Sequence, residues 1–353
     1  MNRTVVIGAG IFILMYIALH VYLAFVTALF IPVSFTLLAI LFSLLGLSYL
    51  LANKLLLAKL IGSIWFAILT YMLMVLPILH LLYYVAPFAL LQIVFATTFI
   101  LYMIAGLFGA YSTKTIAYSI TVPKRQATQD KLRLVLASDM HFGGLSGHTH
   151  VKRLVKHVNA LKPDSILLAG DIVDDDPAHF HNKHMDETMA KLQAPFGKLA
   201  VLGNHEYYGK EIPKLRDILS TINIQLLEDA SFVVADSLRV IGRLDQTDRN
   251  RQSVDDMIGD EHLPVLVMDH QPTELEKIAD AGAHISVSGH THRGQIWPFH
   301  LITERMFFLD YGYKKHKQLH AFVSSGFGFW GPPIRIGTRS EIVCIDVTFS
   351  DET

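Results

Sequence analysis

The chain has 353 residues, of which 52% are hydrophobic and 17% charged, and its formal net charge is −1. Soluble globular proteins carry roughly 25% charged residues, so this composition excludes an ordinary water-soluble enzyme. Arg3, Lys54 and Lys59 are the only charged residues among the first 113, and Asp130 is the first acidic one. Residues 1–129 therefore carry +6 and residues 130–353 carry −7, which predicts two unlike domains.

Two long uncharged stretches precede residue 114, and Lys54 and Lys59 separate them. A bilayer core about 30 Å thick takes about 20 helical residues, so each stretch has room for two spans and a turn. Pro32 and the segment 83–87 supply the turns. The sequence predicts an all-α bundle of four transmembrane helices within 1–113, at about 5–30, 35–52, 60–83 and 88–111, followed by a basic linker over 114–129.

The placement of basic residues indicates an orientation. Basic residues lie at the amino terminus, in the loop with Lys54 and Lys59, and after the fourth helix, whereas the other two loops are uncharged. Because basic loops stay in the cytoplasm, we expect a multi-pass cell-membrane protein with residues 130–353 on the cytoplasmic side and the lipid bilayer as partner. The −7 charge of that region favours no nucleic-acid partner, and the sequence leaves the oligomeric state open.

Residues 130–353 read as alternating strands and helices. Strands are predicted at 132–137, 165–169, 199–202, 263–268 and 284–288, and each is followed by polar residues. The carboxyl ends of strands in an open α/β sheet meet at one edge, where such folds build sites. We therefore expect seven side chains to converge there, namely Asp139, His141, Asp171, Asn204, His270, His290 and His292.

These seven side chains offer carboxylate, amide and imidazole donors, which together form a metal-binding set. Asp139 with His141, and His290 with His292, are spaced i and i+2, so extended backbone would direct each pair to one side. Seven ligands exceed what one ion takes from protein, whereas two ions sharing a carboxylate would use all of them. Two divalent ions about 3.5–4 Å apart can activate water and stabilise both oxygens of a phosphoryl transfer.

The five fragments resemble the calcineurin-like metallophosphoesterases, whose pattern is DxH, GDxxD, GNH(D/E), H and GHxH in that order. In this chain they are Asp139-Met-His141, Gly170-Asp171-Ile-Val-Asp174, Gly203-Asn-His-Glu206, His270 and Gly289-His-Thr-His292. The resemblance implies a four-layer α/β sandwich over 130–353, with two β-sheets flanked by helices. It also implies a metal-dependent hydrolase of phosphoric esters or pyrophosphates.

The resemblance further implies a role for each residue. One ion would be held by Asp139, His141, Asp171 and His292, and the other by Asp171, Asn204, His270 and His290, with Asp171 bridging and also counted as catalytic. His205 would contact the phosphoryl group as a catalytic residue, with Asn204 beside it, and Asp174 would support the site. Manganese is the preferred metal by resemblance, although iron, zinc and cobalt accept the same donors.

The segment 323–337 with Ser340-Glu-Ile resembles the membrane-associated bacterial branch of this family, which includes proteins similar to UDP-2,3-diacylglucosamine pyrophosphatases. We therefore expect hydrolysis of a phosphodiester or pyrophosphate bond, preferably in a lipid-linked substrate. A soluble substrate such as a cyclic nucleotide, or a metal-dependent binding or signalling scaffold without turnover, are the alternatives. Arg335 is the best candidate to bind a second phosphate. Phe327, Phe329 and Trp330 either form an apolar lip or pack the last strands.

Overall fold

The computed structural model describes residues 3–50, 56–259 and 262–351. It divides into two compact units, Met1–Gly106 with Gly331–Pro333, and Leu107–Trp330 with Ile334–Thr353. The first unit is helical. Its helices are α1 (Arg3–Phe30), α2 (Phe35–Leu50), α3 (Leu56–Leu82, with Pro77 inside) and α4 (Phe88–Tyr111), the last of which continues into the second unit.

Three of these helices are long and apolar enough to cross a membrane, over Gly10–Phe30, Leu57–Leu82 and Phe88–Tyr111. The apolar part of α2 is shorter, Phe35–Ser48. The four predicted helices are therefore all present, and three of them have spanning length by themselves. Lys54, which the predicted orientation uses, lies outside the described residues.

The second unit is built on two six-stranded sheets. In chain order the strands are β1 (Lys114–Pro123), β2 (Lys131–Ala137), β3 (Ser165–Ala169), β4 (Lys198–Val201), β5 (Gln225–Leu226), β6 (Ala230–Val234), β7 (Leu238–Gly242), β8 (Val265–Met268), β9 (Ile285–Ser288), β10 (Gly312–His316), β11 (Leu319–Val323) and β12 (Glu341–Ser350). The first sheet has the order β1-β12-β2-β3-β4-β5 and the second β10-β11-β9-β8-β7-β6. Both sheets mix parallel and antiparallel pairs.

Short helices lie outside the sheets, and most of them pack apolar side chains against the strands. They are α5 (His148–Ala160), α6 (Pro177–Asn182), α7 (Met185–Met189), α8 (Asn204–Gly209), α9 (Ile212–Thr221), α10 (Val254–Ile258), α11 (Leu275–Asp280) and α12 (His300–Met306), with a 3-10 turn at His292–Gly294. Side chains of β3 alternate between layers: Leu167 packs between the sheets with Leu266, whereas Ile166 and Leu168 pack against the helices. The expected sandwich of two sheets flanked by helices is thus confirmed.

The segment predicted as a basic linker, 114–129, begins with a strand. Residues 114–123 form β1, which pairs in parallel with β12 over ten residues at the edge of the first sheet. Ile116, Tyr118, Ile120 and Val122 alternate with polar or small residues, and Ile120 and Val122 are buried. Alternation with period two is the pattern of a half-buried strand, and the basic residues around it obscured that signal in the sequence.

Candidate metal centre

Each metal-ligand candidate follows directly after a strand. Asp139 follows β2, Asp171 follows β3 and Asn204 follows β4, and these three strands are parallel neighbours in the first sheet. His270 follows β8, and His290 follows β9, its parallel neighbour in the second sheet. The structure therefore brings together strand ends from two sheets, whereas we expected them along one edge of a single open sheet.

The backbone at these positions is left-handed rather than extended. Asp139 (φ 52°), His141 (φ 46°), Asp171 (φ 49°), His290 (φ 72°) and His292 (φ 47°) all have positive φ. The paired side chains do come together, but the extended backbone that we expected to direct them is not present. Tight turns after the strands aim the side chains, and Asp and His tolerate this conformation better than most residues do. Strain of this kind is concentrated at functional sites.

One group of donors lies around Asp139, His141 and His292. The Nε2 atoms of His141 and His292 are 3.0 Å apart, and His292 Nε2 lies 3.7 Å from Asp139 Oδ1. All three side chains are buried, and one ligand atom from each lies within 4.8 Å of the others. The Nε2 atoms and the carboxylate thus face a common point.

A second group lies around Asn204, His270 and His290. Asn204 Oδ1 is 3.1 Å from His270 Nε2 and 2.9 Å from His290 Nδ1. Asp171 joins the two groups, because its Oδ2 lies 3.3 Å from His270 Nε2 and 3.7 Å from His141 Nε2. All seven predicted ligands therefore meet in one site, with Asp171 between the two groups. Asp139, Asp171 and His270 also form a compact trio of their own.

A layer of hydrogen bonds orients these donors. His270 Nδ1 donates to Ala169 O at 2.8 Å, which leaves Nε2 as the ligating atom. Asp139 accepts from Ser138 Oγ at 2.5 Å and from His290 N at 2.9 Å, and Asp171 accepts from His205 N at 3.0 Å. The lone pairs are therefore aimed by neighbouring groups before any ligand arrives.

Two glycines of the motifs lie so close to neighbouring carboxylates that neither position has room for a side chain. A Cβ at position 203 would lie 2.2 Å from Asp171 Oδ1, and one at position 289 would lie 2.3 Å from Asp139 Oδ2. A side chain at either place would displace a carboxylate of the site. This gives a steric reason for Gly203 and Gly289 in the two motifs.

Burial sets the protonation of most donors. It lowers the pKa of His141 to about 3 and that of His290 to about 4, so both imidazoles are neutral. Burial also raises the pKa of Asp139 to about 6. For His270 burial lowers the pKa, but Asp171 and Asp139 raise it well above its usual value. A bound metal ion would displace such a proton, because the ion and the proton compete for the lone pair of one ring nitrogen.

His205 lies beside the donors and lines a pocket of about 350 Å³. Its Nδ1 donates to Asp175 Oδ1 at 2.7 Å, whereas Asp174 Oδ1 is 4.0 Å away. Burial lowers the pKa of His205, but Asp175, Asp171 and Asp174 raise it above its usual value. We expected Asp174 in the supporting position. The run Asp174-Asp175-Asp176 signals an acidic partner, but only the turn geometry selects Asp175.

Glu206 is a functional residue whose role the sequence did not reveal. Its Oε2 accepts from Gly203 N at 2.7 Å and Asp171 N at 3.1 Å, and its Oε1 accepts from Val173 N at 3.0 Å. The side chain is 2% exposed. Glu206 therefore joins the loops after β3 and β4, which carry ligands of both groups.

Arg335 is placed differently from its expected role in binding substrate. It is 1% exposed, does not line the pocket, and donates from Nη2 to His292 Nδ1 at 3.0 Å and from Nε to Gly328 O at 2.8 Å. It lies behind a metal-ligand candidate, so direct contact with substrate is not supported. The sequence showed an available guanidinium but not its burial.

The aromatic residues of the carboxy-terminal segment divide between the two interpretations that the sequence left open. Phe327 and Phe329 are buried, Phe327 in the core beside the first sheet and Phe329 against Tyr111 and His150, whereas Trp330 is 44% exposed and lines the pocket. Tyr208 and Gln295 also line it, and neither stood out in the sequence. The pocket thus has a polar floor of candidate ligands and an aromatic edge.

The donor set fits two divalent ions. Nitrogen and oxygen atoms of seven side chains converge in two groups that share Asp171, and the ligating nitrogen of His270 is fixed by a backbone bond. Zinc, manganese, iron and cobalt all accept such ligands. Together with the two-sheet fold, this site defines a domain of the metal-dependent phosphoester hydrolase class.

Comparison with known proteins supports the same class of domain. Residues 132–294 match the calcineurin-like phosphoesterase family, and the chain therefore carries a calcineurin-like phosphoesterase domain. It is 32% identical over 220 residues to a metallophosphoesterase of Helicobacter pylori, a match that covers 60% of this chain and 58% of the relative.

Two further relatives have different lengths. A transmembrane protein with metallophosphoesterase domain from Danio rerio is 28% identical over 255 residues, covering 67% of this chain and 58% of the relative. A metallophosphoesterase of Aquifex aeolicus is 29% identical over 260 residues, covering 69% of this chain and 97% of the relative. The match thus spans a little over half the length of the Helicobacter and Danio relatives.

Proposed function

We propose that this chain is a membrane-anchored, dinuclear metal-dependent phosphohydrolase that cleaves a phosphodiester or pyrophosphate bond, with a lipid-linked substrate preferred. The observation that carries the proposal is the position of Asp171 Oδ2, 3.3 Å from His270 Nε2 and 3.7 Å from His141 Nε2. A carboxylate between two imidazole groups suits a bridging ligand. The membrane-length helices support the anchoring.

Two divalent ions held by the two groups would supply a nucleophilic water and neutralise charge on the phosphoryl oxygens. The chain's own residues would do the rest. Asn204 and His205 line the pocket and would contact the phosphoryl group. With Asp175 accepting from Nδ1, a protonated His205 would donate from Nε2 to the leaving oxygen. Tyr208 and Trp330 would restrict access of bulk water from the pocket edge.

Hydrolysis of bis-p-nitrophenyl phosphate by the full chain in detergent tests this function. We expect turnover to be lost on chelation and restored by manganese, with iron, zinc and cobalt compared separately. The variant Asp171→Asn should lose at least about a thousandfold, because a ligand common to both groups is removed. Asp217→Asn is the matched control, since Asp217 is an exposed aspartate of α9. Metal-independent turnover, or an active Asp171→Asn variant, would contradict the proposal.

A scaffold without turnover is the alternative that the sequence left open. His205 argues against it, because a binding scaffold has no use for a half-buried imidazole hydrogen-bonded to Asp175 beside the donors. A folded, metal-loaded chain that hydrolyses neither soluble nor lipid-linked diesters would support the scaffold.

We also propose that the phosphoesterase domain lies in the cytoplasm, in a multi-pass cell-membrane protein. The support is the basic character of the amino terminus and of the segment that follows α4. Protease digestion of intact spheroplasts tests it. The domain should be protected until the membrane is opened, and cleavage in intact spheroplasts would contradict the orientation.

A further inference from the structure

The segment from Trp297 to Met306 displays its apolar side chains on the surface of the second unit. Trp297 is 52% exposed, Leu301 42%, Ile302 54% and Met306 68%. Helix α12, which carries the last three, contains no buried residue. A surface helix of a globular protein ordinarily buries its apolar face, whereas α12 turns its apolar side chains outward.

A hydrogen bond to the body of the domain holds α12 with its apolar face outward. Thr303 Oγ1 donates to Asp310 Oδ2 at 2.7 Å, which fixes the polar side of the helix to the body. At 100° per residue, Leu301, Ile302 and Met306 lie within an arc of about 140° that excludes Thr303. Arg305 falls within the same arc, and its Nη1 donates to Leu301 O at 2.6 Å. The outward face is therefore apolar with one cation.

This surface is linked to the pocket mouth. Gln295 lines the pocket and exchanges two hydrogen bonds with the main chain of Trp330, at 2.9 Å from Nε2 to O and 2.8 Å from N to Oε1. Trp297, two residues further, donates from its backbone N to Ile336 O at 2.8 Å. We call the exposed set of Trp297, Leu301, Ile302, Met306 and Trp330 the apolar rim.

The same unit contains the end of a membrane-length helix. Leu107–Tyr111, the last turn of α4, belongs to the second unit, where Ser340 N donates to Gly109 O at 2.9 Å and Arg153 Nη2 to Ala110 O at 3.2 Å. The phosphoesterase domain therefore includes the last residues of an apolar helix of 24 residues. Such a domain stays beside a bilayer, which makes lipid the nearest occupant for an exposed apolar surface.

We propose that the apolar rim inserts into the interfacial layer of the lipid bilayer and delivers lipid-linked phosphoesters to the adjoining pocket. Tryptophan and cationic side chains on an apolar surface favour that layer, where acyl chains meet phosphate headgroups. Arg305 would pair with a headgroup phosphate while its apolar neighbours enter the acyl region. Insertion itself is independent of catalysis, whereas delivery rests on the proposed function.

Insertion depth can be measured on the full chain in vesicles of phosphatidylcholine and phosphatidylglycerol. Cys344 is the single cysteine and is buried, so a Cys344→Ala background accepts a nitroxide at Met306→Cys. Val233→Cys, on the edge strand β6 with 42% exposure, is the matched control. We expect the label at 306 to be accessible to oxygen and protected from a water-soluble nickel chelate, and the label at 233 to behave in the opposite way.

Two results of that measurement would overturn the inference. Equal nickel accessibility at both positions would show that the rim remains in water. Protection at 306 in native membranes but not in pure lipid vesicles would assign the surface to a protein partner instead.

Hydrolysis assays test whether the apolar rim delivers lipid-linked substrate to the pocket. The double variant Ile302→Glu with Met306→Glu should lower hydrolysis of hexadecyl p-nitrophenyl phosphate in vesicles by about tenfold or more, because two apolar contacts with lipid become charged. Hydrolysis of water-soluble bis-p-nitrophenyl phosphate should stay within about twofold, as should both activities of Val233→Glu. Unchanged hydrolysis of the lipid diester would overturn delivery. If the native chain cleaves neither diester, the phosphodiesterase part of the proposed function fails, and the depth measurement still decides insertion.

Discussion

Glu206 offers a direct test of how the metal-centre loops are held. Its carboxylate accepts three backbone hydrogen bonds, from Gly203, Asp171 and Val173, at 2.7, 3.1 and 3.0 Å. Glu206→Ala would leave three buried N–H groups without an acceptor. Each such group costs about 1–3 kcal/mol, so we expect the free energy of unfolding of the domain to fall by at least about 3 kcal/mol.

Glu206→Gln separates hydrogen bonding from volume. One amide oxygen can still serve Gly203 and Asp171, but the amide NH₂ then faces the N–H of Val173, so about one bond is lost. We expect a loss of about 1–3 kcal/mol, smaller than for alanine. For a domain of this size, 1 kcal/mol lowers the unfolding midpoint by about 2–4 °C, which gives roughly 6–12 °C for alanine at its lower bound.

The assay is thermal unfolding of the full chain in detergent, with a chelator present so that metal affinity does not enter. Measurement above pH 7 compares the ionised carboxylate, because burial and the neighbouring Asp171 raise the pKa of Glu206 to about 7. Glu211→Gln is the control, since Glu211 is exposed and its side chain does not cap α9. If Glu206→Ala unfolds within about 1 °C of the native chain, the three bonds do not stabilise the site.

Three further predictions follow from individual contacts. Asp175→Asn should lower kcat about 10- to 100-fold with little change in KM, because the amide oxygen can still accept from His205 Nδ1 but carries no negative charge to keep His205 protonated. Asp174→Asn should have a smaller effect, and equal losses would refute the assignment. A glycine-to-alanine change stabilises most helices by about 1 kcal/mol. Gly109→Ala should instead lower the unfolding midpoint, because the new Cβ would lie 2.3 Å from Arg335 O. Gly10→Ala is the control, since a Cβ there would meet nothing within 4 Å. Burial raises the pKa of Glu274, but Lys277, Arg243 and Arg251 lower it to about 2. The contribution of Glu274 to stability should therefore be present above the ordinary pKa of 4.5 and be lost as the pH falls towards 2. Glu274→Gln should show a shallower loss of thermal stability over that range, and parallel curves for the two proteins would contradict this.

Residue type and order carried most of the candidate site. Seven donors placed directly after strands could meet only at the carboxyl ends of a sheet, and the structure groups Asp139, His141 and His292 on one side of Asp171 and His270 on the other. The apolar composition of residues 1–113 likewise required helices, because backbone polar groups in a bilayer must bond within their own segment. These are consequences of local pattern, which a sequence displays directly.

The tertiary structure decided which neighbour each polar group meets. Extended spacing did not aim Asp139 and His141; positive-φ turns did. Arg335 was a plausible phosphate ligand by type, but packing buried it against His292, and the same packing selected Asp175 over Asp174 for His205. β1 was mistaken for a linker because an edge strand depends on a partner, β12, more than 200 residues away in the chain. Residue chemistry and period are local and can be read in sequence, whereas burial and pairing arise only when distant segments come together.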